Sequence, residues 1–148
     1  MSEAEAYSEF CDQVSQNEKV PNQPGPYDSK LHHFVLIQNN KAVIARYLDQ
    51  DQNPEYEIQS HTLRLGNTVM VTNPFELYLD FGHQIKARSI AEQTLIVQLC
   101  SGIGGYLPSS RAEKLGGYGG LIINGNVGSL GGEKLVDITI QEIEALWK

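Results

Sequence analysis

The stretch "TLIVQLCSGIGGYLPSSRAEKLGGYGG", residues 94 to 120, constrains this chain more than any other. Its first part, residues 94 to 101, is a short apolar run of the kind found in buried strands. A long glycine-rich segment follows. Glycines after a strand let the backbone pass close to something, or let one side chain, Tyr106, point into a cleft. An ordinary half-buried tyrosine with a satisfied hydroxyl fits the same residues. Ser109 or Ser110 is placed to cap one short helical turn inside the segment.

Around this stretch the pattern alternates between helix and strand. Residues 3 to 16 carry Tyr7, Phe10, Cys11 and Val14 at helical steps. "PNQPGPYDS" then breaks the pattern. Asp28 or Ser29 can cap a second helix with the stripe Leu31, Phe34, Val35, Ala42, Ala45 and Leu48. A hairpin through Asn39-Asn40 is the alternative. After the polar linker "DQDQNPEYE", two strands are expected around Gly66-Asn67, with Ile58, Leu63, Leu65, Val69 and Val71 apolar. A helix is expected from Pro74, with Asn73 as its cap and Phe75, Tyr78, Phe81 and Ile85 as its stripe. A last helix is expected from Glu133 onward. The order predicts an α/β or α+β fold, with helices packed on a mostly buried sheet. It divides into a helical segment and linker over 1–56 and a second part over 57–148.

With 148 residues and 41% hydrophobic composition, the chain is long and apolar enough for one core. A net charge of −7 argues against nucleic acid or an anionic membrane as the main partner. Cys11 and Cys100 stand far apart and read as free thiols. No signal peptide and no membrane span is visible.

Candidate chemistry centres on "TNPFELYLDFG", where Glu76 stands between Phe75 and Leu77. Asn73-x-x-Glu76 has the spacing of a capping box, in which the glutamate reaches back to the cap residue. Glu76, Asp80 and His83 fall at i, i+4 and i+7, on one face of the expected helix. That face suits either a cation or plain solvation. "SGIGGYLPS" lacks the lysine of a phosphate loop, and its glycines at 102, 104 and 105 do not match a dinucleotide fingerprint. His32 and His33 diverge, and His61 suits a structural role on a strand. No H-E-x-x-H, C-x-x-C or G-x-S-x-G is present.

From about Glu57 to Trp147, "RLGNTVMVTNPFELYLDFGHQIKARS", "QTLIVQLCSGIGGYLPSSRAEKLGGYGG" and "NVGSLGGEKLVDITI" resemble the neutral/alkaline, non-lysosomal ceramidase family. The resemblance is to the C-terminal part of the catalytic domain and runs closest to uncharacterised ceramidase-like members. It implies a zinc-dependent hydrolase that cleaves the N-acyl bond of a lipid amide. The family holds its zinc with two histidines, a glutamate and a tyrosine. The glutamate follows a proline by two residues, which points to Glu76 after Pro74. The tyrosine lies in a loop after the next strand, which points to Tyr106. Tyr106 would also stand where a phenol could stabilise an oxyanion.

The departures are specific. The histidines and an active-site serine come from N-terminal segments that this chain does not resemble. The usual Pro-Gly-Glu is Pro74-Phe75-Glu76 here. A tyrosine of proven ceramidases is Ile103, a Tyr-Glu pair is Tyr118-Gly119, and a Gly-Pro is Gly128-Ser129. The resemblance therefore implies a fragment carrying half a zinc site, inactive alone. Its expected partners are the missing N-terminal part of the catalytic domain and a lipid amide or other small amide substrate. The alternative is an interaction domain that keeps the fold without the reaction.

Overall fold

The computed structural model describes residues 33 to 148. The expected helix over 3–16, the cap at Asp28 or Ser29, and Cys11 lie outside the described residues. The described chain falls into two units, one up to Glu55 and one from Tyr56.

In the first unit, α1 spans His33–Asp49. Asn39 and Asn40 lie within it, so the helix is formed and the hairpin alternative is not. Its end is closed locally. The Gln50 amide donates to the Arg46 carbonyl, and the Asn53 side chain donates to Asp49 at 2.8 Å.

The second unit holds helices with two small sheets, an α/β or α+β fold. β1 (Thr62–Leu65) and β2 (Thr68–Thr72) form an antiparallel hairpin. Gly66 takes φ +62° at the first of two turn positions, a conformation that an L side chain resists. β4 (Gln93–Val97) then joins β2 in parallel, giving the order β1-β2-β4.

The ladder fixes which residues share a face. Val69 and Val71 enter the core, and Ile96 packs against it. The other face carries Leu63, Leu65, Met70, Leu95 and Val97. Leu63 is paired across to Met70 and Met70 to Leu95, which sets them side by side. Leu65 is 65% exposed and Leu63 53%. β4 is thus an edge strand with one open face, not the strand covered on both sides that its apolar run predicts. Its third and fifth residues simply face away from the helices.

Between β2 and β4 the chain makes β3 (Phe75–Leu77) and α2 (Leu79–Arg88). Here the structure corrects the sequence. Glu76 lies on a strand, not in the first turn of a helix, and the capping box is not formed. The buried Asn73 side chain instead accepts the Phe75 N–H at 3.1 Å, which bends the chain through Pro74 into an extended segment. The helix starts at Leu79, five residues after the expected Pro74, with Tyr78 at its N-cap position. Glu76, Asp80 and His83 therefore do not share a helical face.

β5 (Gly105–Leu107) pairs with β3 in parallel. α3 (Ser110–Leu115) follows with Ser109 at its N-cap position. After a 3-10 turn at Ile122–Asn124 comes α4 (Ser129–Ala145). It begins four residues before the expected Glu133, because a side chain from α3 caps it. The Glu113 carboxylate accepts both the Ser129 N–H and the Ser129 hydroxyl, each at 2.6 Å. Helix α4 packs on α2, α3 and β1. The core joins Phe75 and Leu77, Phe81 and Ile85, Leu107, and Leu135, Val136, Ile140 and Ile143. Arg64 of β1 closes the far end of α4. Its guanidinium donates to the Leu146 carbonyl at 2.6 Å and lies 4.0 Å from the centroid of Trp147. No helix among the described residues is long and apolar enough to cross a membrane.

Candidate metal and phenol site

β3 and β5 place the two candidate residues side by side. In their ladder Phe75 pairs with Gly105, Glu76 with Tyr106, and Leu77 with Leu107. Phe75, Leu77 and Leu107 are buried in the core, so alternation along the strands turns Glu76 and Tyr106 together to the opposite face. Both are half-buried there. Residues 30 apart in sequence thus meet through backbone pairing and not through loop geometry.

Two further tyrosines frame the pair. The ring of Tyr118 meets that of Tyr106 edge-on at 5.5 Å, and the ring of Tyr78 does so at 6.5 Å. The Tyr78 hydroxyl donates to the Tyr118 carbonyl. Gly119 makes this approach feasible. It takes φ +78°, and a Cβ there would lie 2.8 Å from the Tyr106 ring and 3.0 Å from the Tyr78 hydroxyl oxygen. The glycine-rich segment therefore lets backbone pass close to a side chain, one of the two purposes its composition suggests.

The electrostatics follow from the same contacts. The Glu76 carboxylate beside the Tyr106 hydroxyl is the main cause holding its pKa above the ordinary tyrosine value. Hydrogen bonding with the Tyr118 hydroxyl raises it further, and burial adds less. Ionising Tyr106 would set an anion beside a carboxylate. With its pKa raised, Tyr106 is a neutral phenol at neutral pH, and a cation beside it would favour loss of the phenol proton.

As a donor set, Glu76 and Tyr106 supply two hard oxygens on one face, which suits part of a metal's ligand shell. They do not supply a whole one. Among the described residues no three His, Cys, Asp or Glu side chains gather closely enough to hold an ion. His61 is exposed next to β1, where its amide donates to Thr72 Oγ1. The sequence singled out Glu76 and Tyr106 but gave no site role to Tyr78 or Tyr118. Tyr78 had a signal available. It stands two residues after Glu76, the spacing that shares a strand face, but the segment read as helix.

Comparison with protein-family models, with curated proteins and with solved structures finds no match to this chain.

Proposed function

We propose that the unit from Tyr56 onward is the C-terminal portion of a ceramidase-like zinc-dependent amide hydrolase, contributing Glu76 and Tyr106 to its metal site. The observation that carries this reading is the parallel register that pairs Glu76 with Tyr106 and sets the phenol beside the carboxylate. Two oxygen ligands from adjacent strands form one wall of a site. The remaining ligands, imidazoles by the family resemblance, come from a missing N-terminal part, in the same chain or in a separate one. Zinc bound there would activate water and polarise an amide carbonyl. The chain's own residues then have defined tasks. Glu76 holds negative charge on the face, Tyr106 supplies a donor or ligand oxygen, and Tyr118 and Tyr78 keep the phenol in place.

In the complete enzyme, Glu76→Gln or Tyr106→Phe is expected to lower metal-dependent hydrolysis by about 10²-fold or more. The urea midpoint should stay close to the parent value. Unchanged activity in both variants removes the ligand assignment. The isolated chain is expected to bind zinc weakly by calorimetry, since four ligands are normal and two rarely suffice.

A second reading is favoured by the open apolar face of Leu63, Leu65, Met70, Leu95 and Val97: an interaction module that docks a partner without catalysis. The DNA upstream of Met1 separates the two. Histidine-containing ceramidase-like sequence in frame there supports the hydrolase, and a functional promoter with its own start site supports the module.

A further inference from the structure

A cleft of about 390 Å³ opens beside α2, lined by Tyr78 but by none of Glu76, Tyr106 and Tyr118. Its size falls at the lower end of ligand pockets, which span about 300–1,000 Å³. Leu79, Gly82, His83 and Lys86 line it from α2 at the i, i+3, i+4 and i+7 positions of one helical face. Leu77 and Ile96 form the apolar side opposite. Gly82 leaves the space open, since a Cβ there would first meet Ile96 Cδ1 at 3.7 Å.

The polar groups of the cleft lean one way. Lys86 offers three hydrogens and no acceptor. Gln98 has its carbonyl oxygen engaged by the Leu77 N–H at 2.5 Å, which fixes the amide and leaves its NH₂ free to donate. The His83 imidazole carries at least one N–H, and no carboxylate lines the cleft. Asp80 lies off the lining stripe of α2. Arg88, two residues further on, is paired with Asp137 at 2.8 Å, whereas Lys86 has no such partner among the described residues. An unpaired cation and an amide NH₂ above three aliphatic side chains stand out in a chain of net charge −7.

We propose that this cleft binds an amphiphilic aliphatic carboxylate, its tail on Leu77, Leu79 and Ile96 and its headgroup against Lys86 and the Gln98 amide. Charge complementarity selects the headgroup, and the apolar floor selects the tail. The inference does not rest on the metal-site reading, since neither Glu76 nor Tyr106 takes part, although Tyr78 borders both places.

The test is an amide NMR titration of the whole chain with decanoate, kept below its micelle concentration. Saturable shifts centred on Leu77, Gly82, Ile96 and Gln98 are expected. Lys86→Gln should weaken binding by roughly tenfold or more, the worth of one charged hydrogen bond. Gly82→Met should block it by filling the space, with Gly82→Ala as the control that leaves room. Decanol should bind at least tenfold more weakly than decanoate. The proposal is overturned by the absence of saturation, by shifts centred on the open sheet face instead, by undiminished binding in Lys86→Gln and Gly82→Met, or by equal affinity for decanol.

Discussion

Glu76 and Tyr106 act on each other before any ligand acts on them. The neighbouring carboxylate, with Tyr118 second, raises the Tyr106 pKa above 10.0. Glu76→Gln is expected to bring it back toward that value, read from tyrosinate ultraviolet absorbance or ring-carbon NMR. The sign for stability follows. A folded pKa raised above the unfolded one means that the stabilisation is fully present below about pH 10. It is lost as pH rises through the folded value. Urea unfolding at neutral pH and at strongly alkaline pH should show a smaller gap in Glu76→Gln than in the parent chain. Gly119→Ala belongs to the same scale. It forces a side chain to φ +78° against the Tyr106 ring and should destabilise by about 1–3 kcal/mol.

Among the elements, α4 depends on a cap supplied by another helix. Glu113→Ala removes both acceptors of Ser129 and is expected to cost about 1 kcal/mol in chemical unfolding. Gly132→Ala tests packing against propensity. In an exposed helix this change stabilises. Here a Cβ at Gly132 would lie 2.3 Å from the Phe81 ring, so the variant should lose about 1–3 kcal/mol. Elements whose signals are local were legible in the sequence. Gly66-Asn67 marked the hairpin, and the chain from Glu133 onward read as the last helix. β3 was not legible, because three residues carry no period of their own and its ladder partner lies beyond α2 and β4. Phe75 and Phe81 both point into the core, one from a strand and one from a helix, and so imitate a single helical stripe. The start of α4 was hidden for the same reason, since its cap, Glu113, lies 16 residues earlier. Glu76 and Tyr106 were found as residue types through family resemblance. Their adjacency, and the two tyrosines around them, became visible only with the register.

Across the whole second unit, one sheet face is covered by helices and the other is open. Arg64 ties the covered side together by joining β1 to the end of α4. The open side predicts behaviour in solution. Leu63→Lys with Leu95→Lys should reduce self-association in sedimentation runs and leave the thermal midpoint within a few degrees, because both side chains are substantially exposed. The pairing of β3 with β5 has a consequence of another kind. Side chains alternate along a strand, so a slip of one position would turn Tyr106 into the interior and bring Gly105 or Leu107 beside the carboxylate. The neighbourhood of Glu76 is therefore all-or-none with respect to alignment. Extra residues spliced into the exposed Ser101–Ile103 bend should be absorbed there, whereas a single residue added between Gly105 and Leu107 should disconnect the two oxygens outright.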